Sequence, residues 1–141
     1  MPSNLFPPQG KVTEVADDTS PVLSANLNAN GNDVSDIGNL NLVDKTRVQA
    51  ATGVITVTQV YHSVDGESDT DDTLVTINGG TAGDLLIFRP DDDAATITVA
   101  DTGNIILAGD ADFVMSDIAD LMTLLYDGTN WIELSRSSNH A

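Results

Sequence analysis

Cysteine is absent from the 141 residues of this chain. That excludes a disulfide framework and any thiolate metal site, and leaves packing and association as the sources of stability. Aromatic residues make up only 4% of the sequence. Leu, Ile, Val and Ala supply most of the apolar side chains, so one subunit builds a thin core from sheets whose second faces still need cover. Oligomerisation is the usual remedy. Basic residues are scarce too: 5 Lys and Arg stand against 22 Asp and Glu, a formal net charge of −17. Phosphate contacts need clustered cations, so neither nucleic acid nor an anionic membrane surface is expected as a partner. No apolar run approaches the roughly 20 residues that cross a bilayer. The opening Met1-Pro2-Ser3-Asn4-Leu5-Phe6-Pro7-Pro8 has neither the basic start nor the apolar core of a secretion signal, and export by that route is not expected.

Chemically reactive constellations are equally thin. His62 and His140 are the only histidines, and no triad, metal cluster or phosphate-cradling loop can be assembled around them. Gly79-Gly80 with Gly83 lacks the lysine of a phosphate loop. The acidic stretch from Asp65 to Asp72 places oxygens at alternate positions, as calcium favours, but its sixth residue is Thr70 rather than Gly and its twelfth is Thr76 rather than Glu. A solvated hairpin tip is the expectation there and at Asp91-Asp92-Asp93. Glu133 lies between Ile132 and Leu134, where alternation puts it on the opposite, exposed face. The expectation is a non-enzymatic chain without cofactor or metal.

What the sequence has in abundance is short β-patterned runs separated by Asp, Asn and Gly. They are Leu74–Ile77, Leu85–Phe88, Thr96–Val99, Asn104–Leu107, Met122–Tyr126 and Trp131–Leu134. The longest run, Val54–Val64, carries apolar side chains on both faces and reads as one central strand. Turns at Asp65-Gly66, Asn78-Gly79-Gly80, Asp101–Asn104 and Asp127-Gly128 read as hairpins. Together these predict an all-β fold of short antiparallel strands, a sandwich or jelly-roll-like barrel over residues 43–141. The one helix candidate, Ser116–Leu125, also reads as strand in its second half. Residues 1–21 hold four of the five prolines and form an extended arm, on which Leu5 and Phe6, flanked by Pro7 and Pro8, are either an anchor for a neighbouring chain or part of a free tail. Residues 22–42 are an Asn- and Gly-rich neck with isolated apolar residues that suit a thin trimeric seam: Leu27, Val34, Ile37 and Leu40.

The neck string Leu23-Ser24-Ala25-Asn26-Leu27-Asn28-Ala29-Asn30-Gly31-Asn32-Asp33-Val34-Ser35-Asp36-Ile37-Gly38 resembles a phrase found in trimeric fibre and decoration proteins of tailed bacteriophages. Asn28 stands where that phrase often carries Asp. The segment Leu124–Arg136 is similar to the hairpin that closes many such proteins. The resemblance implies a homotrimeric virion protein on the outer surface of the head, or on the tail. Its short length favours a capsid decoration (cement) protein that binds the major capsid protein and stabilises contacts between shell subunits. The alternative is a short tail fibre or receptor-binding module recognising host polysaccharide. For that role Tyr126 and Trp131 are the candidates to stack on a sugar ring; the competing reading makes them a cross-strand pair that fixes hairpin register.

Overall fold

The computed structural model describes residues 38–42, 46–67 and 71–139. The chain divides into two units, Met1–Asn39 and Leu40–Ala141. The arm residues Leu5, Phe6, Pro7 and Pro8 and the neck residues Leu27, Val34 and Ile37 lie outside the described residues. Leu40 lies inside them and is 76% exposed.

The fold is all-β, with no α-helix among the described residues. Its strands are β1 (Thr46–Ala50), β2 (Val54–Thr56), β3 (Tyr61–Gly66), β4 (Asp72–Leu74), β5 (Thr76–Asn78), β6 (Leu85–Pro90), β7 (Ile97–Val99), β8 (Ile105–Ile106), β9 (Phe113–Met115), β10 (Leu121–Tyr126) and β11 (Trp131–Ser137). The predicted antiparallel pairing needs correction. β1, β3 and β6 run parallel in adjacent positions, with Thr46 opposite His62 and His62 opposite Phe88. β2 pairs parallel with β5, and β4 parallel with β7. Successive passes of the chain therefore stack on one another as coils, an arrangement that points to a short β-solenoid rather than a sandwich or jelly roll. After β8 the direction reverses. β9 adds antiparallel to β7, β10 antiparallel to β6, and β11 returns beside β10 to run parallel with β8.

Glycine makes the coils fit at their corners. Gly103 has φ +63, and a Cβ there would stand 2.1 Å from the carbonyl oxygen of Val75 on the coil alongside. Gly53, at φ +76, would meet the carbonyl oxygen of Thr73 at 2.6 Å. Only a residue without a side chain allows such approach in the left-handed region.

Inward-facing side chains form rows across the coils, since directly opposed residues point the same way. His62, Phe88 and Met122 make one row and Leu74, Val99 and Phe113 another, with exposure from 0% to 8%. Two further expectations are overturned. The run Val54–Val64 is not one strand: it breaks into β2 and β3, because the backbone N–H groups of Thr58 and Gln59 donate to His62 Nε2 at 3.1 and 3.3 Å and turn the chain. His62 Nδ1–H then donates to the Thr46 carbonyl at 2.8 Å, which satisfies a ring with no exposed surface. Ser116–Leu125 is not helical either. Buried Asp120 accepts from Ser116 N–H at 3.0 Å, closing a turn that leads into β10.

Candidate functional site: an uncharged apolar strip

Alternation along β6 buries Leu86 and Phe88 and turns Leu85 and Ile87 outward. Leu85 is opposite Leu125 of β10, Leu125 opposite Ile132 of β11, and Ile132 opposite Ile106 of β8. Four apolar side chains thus stand side by side on the outer face of four adjacent strands. At about 4.8 Å per strand the row is roughly 14 Å long. Its two ends are open, Leu85 at 44% and Ile106 at 45% exposure; Leu125 and Ile132 in the middle are half-buried. The next row on the same face is Tyr61, Ile87, Thr123 and Ser135. Neither row contains a charged residue, in a chain of net charge −17.

The carboxylates are spent elsewhere, at the corners. Asp71 accepts from Thr96 N–H at 2.8 Å, Asp93 from Ile118 N–H at 2.7 Å and Asp101 from Leu107 N–H at 2.6 Å. Asp120 accepts from Asn139 N–H as well as from Ser116. A coil corner leaves backbone donors outside the sheet ladders, and short acidic side chains satisfy them. Asp127 does this at the β10–β11 hairpin, accepting from Asn130 and Thr129 N–H at 2.6 and 2.7 Å. Those two bonds, Asn130 first, hold its pKa below the usual aspartate value.

Ion pairs around Arg47 and Arg136 engage further carboxylates. Asp65, expected at a solvated tip, is instead 3% exposed at the end of β3, paired with Arg47. The same guanidinium reaches Asp91 at 3.3 Å, and Ser63 Oγ–H donates to Asp91 at 2.5 Å, so the Asp91–Asp93 cluster is neutralised in part from within. Glu133, expected to be exposed, has a side chain only 5% accessible. It takes both Nε and Nη2 of Arg136, at 2.6 and 2.5 Å, and accepts from Ala108 N–H at 2.8 Å. The Arg136 hydrogen bond is the main cause that holds the Glu133 pKa below its usual value, and Glu133 in turn raises that of Arg136. Held ionised, Glu133 cannot serve as a proton donor near neutral pH. Among the described residues no three His, Asp or Glu side chains stand close enough to hold a metal ion.

Tyr126 and Trp131 are directly opposed on β10 and β11, with ring centroids 4.9 Å apart and planes tilted by 35°. Trp131 is 1% exposed and its Nε1–H donates to the Ile77 carbonyl at 3.2 Å. The pair fixes the hairpin and presents no open Trp face for a sugar. A groove of about 310 Å³ does lie nearby, lined by the apolar Trp131, Val57, Val60 and Leu85 together with the polar Thr58, Gln59, Thr81 and Asp84. Neither the strip nor the groove was singled out from the sequence. Both depend on register between distant strands: the runs that carry the strip, Leu85–Phe88, Asn104–Leu107, Met122–Tyr126 and Trp131–Leu134, are legible in the sequence, but not that they lie side by side.

No protein-family model matches this chain, and no curated protein matches it in sequence.

Proposed function

We propose that this chain is a structural protein of a tailed-bacteriophage virion, a homotrimeric decoration protein that binds the outside of the capsid and tightens contacts between shell subunits. The observation that carries the reading is the uncharged apolar strip on an otherwise acidic module: it is a surface built for protein contact, and the carboxylates around it are engaged in holding turns. The neck and hairpin phrases shared in style with phage fibre and decoration proteins support the same reading. In this mechanism the Leu5-Phe6 arm reaches to the major capsid protein while the module covers the seam. Burying a Leu or Phe side chain is worth about 1.5–3 kcal/mol, and three arms on one trimer reinforce each other through effective concentration.

The groove beside Trp131 favours one second reading, a short tail fibre or receptor-binding module that recognises host polysaccharide. Occupancy on stripped particles tests the first. Removal of residues 1–10 should leave the β module folded and lower occupancy on the shell, with little recovery on adding salt because the anchor is apolar. Equal occupancy of intact and truncated protein would remove the arm from the mechanism.

A further inference from the structure

We infer that Arg89 and Tyr61 form a carboxylate-binding site, which takes an Asp or Glu side chain of a protein partner. The inference deepens the proposed function, and its choice of the capsid shell as the source of that carboxylate rests on that reading.

Arg89 is the exception among the described cations. The chain has 5 Lys and Arg against 22 Asp and Glu. Arg47 pairs with Asp65 and Asp91, and Arg136 with Glu133, but Arg89 has no carboxylate within ion-pair distance among the described residues. Three acids follow it closely along the chain, and each is engaged elsewhere: Asp91 by Arg47 and Ser63, Asp92 by the Ala94 N–H, and Asp93 by the Ile118 N–H.

The guanidinium is nonetheless held in place. Its Nε–H donates to the Tyr61 hydroxyl at 2.9 Å and its Nη1–H to the Ile118 carbonyl at 3.0 Å. Both acceptors are neutral, so the charge is oriented without being neutralised. The remaining N–H donors of the planar fork stay available, and the Tyr61 hydroxyl, which accepts from Arg89, keeps its own proton to donate. Two side chains in contact thus offer donors to one acceptor. An ionised carboxylate, with two oxygens that accept in parallel, matches such a fork.

The surroundings select a carboxylate carried by protein. Alternation along β6 buries Phe88 and Pro90 and places Ile87 and Arg89 on the outer face. Leu121, one step beyond the Met122–Phe88 pair on β10, is 38% exposed, and Ile118 is 40% exposed. One unneutralised cation therefore sits among apolar side chains that reach solvent. The phosphates of nucleic acid need clustered cations, whereas an acidic side chain with apolar neighbours needs only one. Arg and Tyr within apolar surroundings are also the residue types that dominate the energy of protein interfaces.

NMR titration of the isotope-labelled full chain with two capped tripeptides, Leu-Glu-Leu and Leu-Gln-Leu, tests the site through its amide and Arg Nε–H resonances. Affinity of about 1 mM is expected for so small a probe. The Glu peptide should shift Arg89, Tyr61, Ile87, Ile118 and Leu121, and should bind about ten-fold more tightly than the Gln peptide, the order of one charge-assisted hydrogen bond. Arg89→Gln should remove that difference. Arg89→Lys, which keeps the charge but not the fork, should keep only part of it. Trp131, the single tryptophan, reports by its emission whether the fold is kept. Should Arg89→Gln shift the emission, Tyr61→Phe removes one donor and should narrow the difference between the peptides. Equal response to the two peptides, or inorganic phosphate binding at these residues as tightly as the Glu peptide, overturns the inference. Stripped particles separate it from the proposed function. Occupancy lowered by Arg89→Gln supports both, and wild-type occupancy that Arg89→Gln leaves unchanged overturns the inference while keeping the shell reading. A wild-type chain that tells the Glu peptide from the Gln peptide but never binds the shell overturns the shell reading and keeps the carboxylate site.

Discussion

Asp120 has no exposed surface, yet its carboxylate accepts from two backbone N–H groups nineteen and four residues away, and so ties the last described residues to the turn before β10. Read along the sequence, such acids look like a solvated charge reservoir. In the fold many of them are turn ligands, because a carboxylate satisfies donors that no strand can reach. Glu133 was legible as the odd acid inside an apolar strand, but not its partner. The fork to Arg136 forms three residues further on, beyond an irregularity in the β10–β11 ladder between Thr123 and Leu124 that period-two alternation does not anticipate. Arg136 also reaches the Ala108 and Ala111 carbonyls and lies over the Phe113 ring at 5.2 Å, so the pair holds the β8–β9 connection in place. The Glu133 pKa is lowered in the fold; its stabilising contribution is therefore complete above the usual glutamate value of 4.5 and is lost as pH falls through the folded value. Glu133→Gln should cost about 1.5–3 kcal/mol at neutral pH, the worth of a charge-assisted hydrogen bond. The stability gap between wild type and variant should then narrow as pH falls from about 7 to about 3 in denaturant titrations. A gap of constant size across that range would show that the carboxylate charge contributes nothing.

The strands themselves were largely legible as elements. Leu85–Phe88, Thr96–Val99, Met122–Tyr126 and Trp131–Leu134 all fall within or across β6, β7, β10 and β11, because β-branched and apolar alternation is a local signal. Their pairing was not. A Gly-bearing turn that closes a hairpin and one that forms a solenoid corner use the same residues, and only the position of the next strand's partner distinguishes them. Asp127-Gly128 is a hairpin turn, with Tyr126 opposite Trp131. Asp101–Asn104 is a corner, where Asn104 bonds across to both the N–H and the carbonyl of Ile77 on the neighbouring coil. Close stacking of coils predicts that Gly103→Ala destabilises by more than about 1 kcal/mol, since φ +63 and the Val75 carbonyl both oppose a side chain. Alanine at Gly109 is the comparison: it shares a positive φ of +78 but meets no atom within 4 Å. Chemical denaturation of the two variants separates backbone strain, common to both, from the close approach at Gly103. Equal losses would mean that the coils do not press together there.

At the scale of the molecule, a chain with few aromatics and no cysteine obtains its core by stacking narrow coils, each lending an apolar row to the next. Such a module buries its inner rows and leaves an outer sheet face that the core does not require to be apolar. On this chain that face is apolar and uncharged along one row, while acids are drawn to the corners. The sequence made the acidity and the scarcity of reactive groups plain, and it suggested an assembly role through the neck and hairpin phrases. The strip stayed hidden, because its four residues come from β6, β8, β10 and β11 and become neighbours only through mixed parallel and antiparallel register. Assembly on a capsid is the central claim, and the copy number of this chain in purified particles tests it most directly. A decoration protein should be present in fixed proportion to the major shell protein and should remain with heads that have lost their tails; a handful of copies per particle that depart with the tail would contradict the account.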